Sequence, residues 1–201
     1  MKSEWTYYIL PFLFIFIITV LIVNWTHVSW FFDWRVVKEV IIESGEKKHS
    51  QLWQEAIGEE DRLVIPSLGI EPPLRFPMTS DVQTITTELD LGVVYYPDSA
   101  ELGETGKAVI LGHSAPEGYP DIKFDKIFSD LGKLQPGDNI VLYYNEKIFE
   151  YVVLDVQTMS IQEYDNYLLE PSSEYLLILS TCYPPGKNWQ RWVVISQLLT
   201  K

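Results

Sequence analysis

Beyond Asp61 the chain is written in short runs of valine, isoleucine, leucine and tyrosine cut by glycine and proline, a texture that strands produce and helical bundles do not. Strands are readable near residues 62–65, 67–71, 93–96, 107–112, 139–144, 147–156, 175–181 and 190–198, and Asn145 and Glu146 sit where a hairpin would turn. Apolar spacing predicts one or two helical turns at 81–89, behind Thr79 and Ser80, and again at 124–131. Residues 157–173 read as a loop. About eight strands in one small domain predict an all-β fold. A closed or nearly closed barrel is favoured because closure removes exposed strand edges, with a sandwich as the alternative pattern.

The other end of the chain obeys a different rule. From Tyr7 to Val23 no residue is charged, and a run of this length is near the minimum that crosses a bilayer as a helix. Trp5, Tyr7 and Tyr8 flank one end and Trp25 and Trp30 the other, as interfacial aromatic rings do. Asn24, Trp25, Thr26 and His27 supply none of the small residues of a signal-peptide cleavage site, so the reading is a retained anchor over 1–27, helical at about 7–23. Residues 28–59 follow as an amphipathic juxtamembrane segment and linker, with Phe31, Trp34, Val37 and Ile41 at helical spacing. The folded domain is expected over 60–201. Lys2 before the apolar run and Arg35 and Lys38 after it leave the orientation undecided by charge.

Charge excludes one class of partner. With 15 basic and 28 acidic residues the formal net charge is -13, which repels phosphate backbones and leaves no basic stripe for nucleic acid. The single cysteine, Cys182, excludes an intramolecular disulfide and a cysteine zinc cluster. Taken alone, a free cysteine is more often a small buried hydrophobe than a reagent.

Its context argues otherwise. Cys182 follows the apolar strand Tyr175-Leu176-Leu177-Ile178-Leu179 and precedes Tyr183-Pro184-Pro185-Gly186, so it stands where a strand leaves the sheet. His113 occupies the same kind of position after Ala108-Val109-Ile110-Leu111-Gly112, and Arg191 opens the strand across a short loop from Cys182. A thiolate can attack a carbonyl, an imidazole can give a proton to the departing amine, and a guanidinium can donate to the developing oxyanion. Lysine would serve less well than Arg191, because the planar fork holds a carbonyl and its tetrahedral successor alike.

Leu179-Ser180-Thr181-Cys182 followed by Arg191 resembles the sortase signature, leucine-x-threonine-cysteine and then arginine. Val109-Ile110-Leu111-Gly112-His113 resembles the family's histidine strand, Leu63-Val64-Ile65-Pro66-Ser67-Leu68-Gly69-Ile70 its opening strand, and Leu134-Gln135-Pro136-Gly137-Asp138 its mid-domain turn. The resemblance covers roughly 62–199. It implies an eight-stranded β-barrel with short helices behind a single-pass anchor in a bacterial cell membrane, with the domain facing outward. It further implies a cysteine transpeptidase that cuts an LPxTG-like sorting signal through a thioester at Cys182 and passes the acyl group to an amine. A peptidoglycan cross-bridge is one such amine, and surface proteins would thereby be anchored to the cell wall. His113 would be the general acid and base, Arg191 the oxyanion donor, and Thr181 a residue shaping the substrate groove.

No cofactor is expected. Some sortases bind calcium near the loop before the histidine strand, where this chain carries Asp98, Glu101 and Glu104, but acidic loop residues are usually just solvated. A cysteine phosphatase would need a shorter cysteine-to-arginine gap and a helix after it. A papain-like protease places its cysteine before its histidine. The remaining alternative is a catalytically inactive, membrane-tethered barrel that binds peptides or partner proteins.

Overall fold

The structure, a computed structural model, describes residues 5–23, 61–120 and 122–200. The expected juxtamembrane segment and linker at 28–59 lie outside them. Helix α1 (Trp5–Val23) is 19 residues long and falls in a different compact unit from the β-domain. Its described side chains, from Leu10 to Val20 with Ile22 and Val23, are exposed. Counting only such described side chains, no helix is long and apolar enough to cross a membrane. The helical backbone itself extends roughly 28 Å at 1.5 Å per residue.

The second unit is one eight-stranded sheet in the order β1-β5-β6-β8-β7-β4-β3-β2. Its strands are β1 (Arg62–Val64), β2 (Leu74–Arg75), β3 (Val93–Tyr95), β4 (Gly106–Leu111), β5 (Asn139–Tyr144), β6 (Lys147–Ser160), β7 (Tyr175–Tyr183) and β8 (Gln190–Thr200). The two edge strands, β1 and β2, meet through Leu63 N–H donating to Pro72 O at 3.0 Å and Leu74 N–H donating to Asp61 O at 2.8 Å. Those bonds satisfy part of both open edges, and the barrel is nearly closed. β6 shifts register against β8 at Glu150/Tyr151 and again at Val153/Asp155, the kind of irregularity that lets a long strand bend around a barrel.

Alternation along the strands builds two apolar layers. Ala108 and Ile110 of β4, Leu177 and Leu179 of β7 and Val194 of β8 face the interior with Leu63, Val93, Phe128, Ile140, Leu142 and Tyr151. Val109, Leu176, Ile178 and Val193 face outward onto Met159 and Tyr164. Because β4 and β7 are covered on both faces, their sequences are apolar runs instead of alternating ones.

Three local expectations change. The segment at 67–71 is not a strand: Pro66–Leu68 forms a 3-10 turn that ends on Gly69 at φ 64, a left-handed conformation suited to glycine, and the edge strand forms later at β2. The segment at 124–131 is a chain of tight turns, with Ile127 N–H bonded to Phe124 O and Ser129 N–H to Lys126 O. It is pinned by Phe128 N–H to His113 O at 2.9 Å and by Ser129 Oγ to Ala115, ties that compete with a regular helix.

The stretch read as a loop at 157–173 instead continues β6 to Ser160 and then forms a helix, α3 (Ile161–Leu169), the counterpart of α2 (Val82–Leu89) earlier in the chain. Ser160 and Glu163 make a reciprocal capping box at its start. That Ser-x-x-Glu spacing ahead of Tyr164, Tyr167 and Leu168 is the helix-start signal in the sequence.

Candidate active site

Strand pairing assembles the site. β7 and β8 run antiparallel with Cys182 directly opposite Arg191. β4 and β7 run parallel, Leu111 opposite Ser180, and Gly112 N–H donates to Ser180 O at 3.1 Å. Two residues on from Leu111 and from Ser180 come His113 and Cys182, so neighbouring strands carry the two residues to the same end of the sheet. The alternation that sends Val109 and Leu111, Ile178 and Ser180, and Val193 and Ile195 outward also sends out His113, Cys182 and Arg191. All three lie on one face at one end of the barrel, just past the cluster covered by α3.

Arg191 Nη1 stands 3.6 Å from Cys182 Sγ. The same nitrogen donates to Asn188 Oδ1 and, at 3.2 Å, to Gln190 O. Asn188 Oδ1 is 4.0 Å from the sulfur, so Asn188 belongs to the site although nothing in the sequence marked it. It lies on the β7–β8 loop, which is anchored where Gly186 N–H donates to Ser114 O at 3.0 Å. Ser114 Oγ also donates to Cys182 O at 2.7 Å, joining the residue after the histidine to the cysteine's own backbone.

Thr181 is elsewhere. It is 3% exposed, on the face opposite Cys182, and its Oγ1 donates to Gly112 O at 2.7 Å. Its contact is with the strand that carries His113, through the backbone one residue before the imidazole.

His113 lies against carboxylates. Asp90 Oδ1, just past α2, is 3.4 Å from its Nε2, and one ligand atom each from Asp90, His113 and Asp125 lies within 4.8 Å of the others. Beneath Cys182 and Arg191, Tyr164 and Ser180 place two buried hydroxyls near one another without an aligned hydrogen bond. Burial pushes the Tyr164 hydroxyl up to about 12, against weaker opposing pulls from Ser180 and the Arg191 charge.

The loop carboxylates named for calcium do not gather. Asp98 lines a cavity of about 330 Å³ with Lys107, Asp165 and Leu168, whereas among the described residues Asp98, Glu101 and Glu104 form no three-ligand cluster.

Comparison with known proteins places the arrangement in a lineage. A family model of the Sortase domain matches residues 63–199, and the chain belongs to the sortase family. Sortase A of Bacillus anthracis is 29% identical over 140 residues, which cover 69% of this chain and 59% of the relative. Sortase D of Bacillus subtilis (strain 168) is 27% identical over 141 residues, 69% of this chain and 63% of that one. The chain thus spans about three fifths of the length of these relatives. The X-ray structure of sortase C from Clostridium perfringens SM101 superposes with TM-score 0.54 at 25% identity, covering 70% of this chain and 69% of that one. Sortase C-1 from Actinomyces oris shares the fold, with TM-score 0.58 at 21% identity over 78% of this chain and 84% of its own.

Proposed function

We propose that the chain is a membrane-anchored cysteine transpeptidase that cuts an LPxTG-like sorting signal and joins the new carboxyl end to an amine. The observation that carries this reading is the pairing of Cys182 with Arg191 across β7 and β8, with His113 following the end of β4, which pairs in parallel with β7.

The Cys182 thiolate attacks the carbonyl carbon of the substrate threonine, and the electron pair moves to the oxygen. Arg191 donates to that oxyanion. The peptide C–N bond breaks, the glycine amine leaves with a proton from the His113 imidazolium, and a thioester remains. An acceptor amine then attacks the thioester, surrenders a proton to the imidazole and expels the thiolate. A peptidoglycan cross-bridge would serve as acceptor, anchoring a surface protein to the cell wall. Every proton and electron pair comes from the three side chains and the two substrates. Thr181 acts on the groove indirectly, by fixing Gly112 beside it.

The uncharged run from Tyr7 to Val23 supports α1 as a single-pass anchor in a bacterial membrane, with the barrel on the outer face where sorting signals and cross-bridges are met. The test is turnover of a quenched LPxTG-type peptide by the full chain in detergent, with and without added amine, against Cys182→Ala. Amine-dependent ligation product that vanishes in the variant is the expected result. Equal signals from the two proteins across a small motif library would overturn the reading in favour of a barrel that binds peptides without cutting them.

A further inference from the structure

The assignment of His113 as proton donor leaves unexplained what holds its ring. Nε2 is buried and makes no aligned hydrogen bond, yet Asp90 Oδ1 is 3.4 Å away, within ion-pair range. Asp125, only 6% exposed, brings a second carboxylate to the same place, with its ligand atom and those of Asp90 and His113 all within 4.8 Å of one another. The two acids come from different parts of the chain. Asp90 ends α2, its own N–H bonded to Thr86 O at 3.3 Å. Asp125 lies in the turns after β4, its N–H bonded to Ile122 O at 3.0 Å, and the same turns bond Phe128 N–H to the His113 carbonyl. Backbone and ring of His113 are therefore gripped by one set of neighbours. The charged groups that stand against the imidazole are these two carboxylates.

We propose that Asp90 is a positioning residue for the transfer reaction: it holds the Nε2 edge of His113 and leaves Nδ1 as the ring atom that trades a proton with the substrate amine. A carboxylate facing Nε2–H selects the tautomer in which Nδ1 is free, and it accommodates the imidazolium once the second proton arrives. The proton lost to the glycine amine leaves from Nδ1, and the acceptor amine restores it there. The long contact suits a resting site, since catalytic hydrogen bonds are often loose before substrate binds. This inference rests on the reading of His113 as the acid.

Asp90→Asn in the full chain separates the two claims. Asparagine is tolerated at a helix end and keeps the shape of the side chain while removing its charge, so the melting temperature and the rate of Cys182 labelling should stay at wild-type values. Steady-state transpeptidation should show kcat lowered roughly tenfold or more with KM within about twofold, the pattern of an interaction that matters in the transition state. The ring ¹⁵N signals of His113, assigned by their loss in His113→Gln, should shift in Asp90→Asn as the tautomer balance changes. Wild-type kcat, or unmoved ring signals, overturns the proposal while leaving the functional reading intact. If instead His113→Gln turns over normally, the functional reading fails, and the ring signals alone then decide whether Asp90 sets the tautomer.

Discussion

Cys182 and Arg191 face each other across the β7–β8 ladder, with Nη1 3.6 Å from Sγ. The donor proposed for the oxyanion thus already stands beside the proposed nucleophile. Asn188 occupies the same guanidinium nitrogen, so its carbonyl oxygen stands where a substrate oxygen would compete. Arg191→Lys keeps the charge and loses the fork. It should lower kcat by roughly a hundredfold or more, the scale of a lost oxyanion donor, while Cys182 still labels with a thiol reagent. Retained turnover in steady-state kinetics would remove Arg191 from the chemistry.

Gly112 precedes the histidine, and a β-carbon built there would stand 2.3 Å from Cδ2 of Phe128, a fully buried ring. The ring belongs to the interior layer and has little room to withdraw. Gly112→Ala should therefore cost about 1–3 kcal/mol by overpacking, read as a lower urea midpoint. It should also depress activity per folded molecule, because the strand end that carries His113 must move.

Lys107 is 9% exposed, and its Nζ donates to Tyr167 O and, at 2.9 Å, to Glu170 O, while lying 3.9 Å from the centre of the Tyr167 ring. It thereby satisfies carbonyls at the C-terminal end of α3, where a cation is electrostatically favoured. Lys107→Met keeps the stem and deletes the donors. The expected loss is about 1–3 kcal/mol in denaturant unfolding, with amide exchange accelerating first in α3.

Burial raises the phenols of Tyr151 and Tyr164 to about 12, from an ordinary value of 10.0. Below about pH 10 both are neutral whether the chain is folded or not, and their burial carries no ionisation penalty. Between about 10 and 12 the unfolded chain releases these protons and the folded one retains them, so stability falls with rising pH across that window. Melting temperature should drop there, and phenolate absorbance should appear together with unfolding. Free titration of every tyrosine near pH 10 in a still-folded protein would contradict the burial of both rings.

The barrel's central strands were legible because β4 and β7 are covered on both faces, and a doubly buried strand must be an uninterrupted apolar run. The edge was not: Ser67, Leu68 and Ile70 look like strand residues, and Pro66 with Gly69 turns them into a 3-10 corner. α3 hid behind β6 because a strand that continues straight into a helix leaves no glycine or proline between them, only the Ser160–Glu163 cap.

The sequence by itself determined the all-β fold class, the uncharged amino-terminal run and the three candidate residues of the site. Apolar periodicity and reactive residue types at strand ends are local properties, visible without knowing which strands meet. The tertiary structure decided what surrounds those residues. Asp90 and Asp125 at the imidazole and Thr181 turned to the far face follow from pairing register and from turns that fold back across the sheet. Contacts between residues so distant in the chain leave no periodic trace in it, because they depend on how the strands are ordered and not on what each strand is made of.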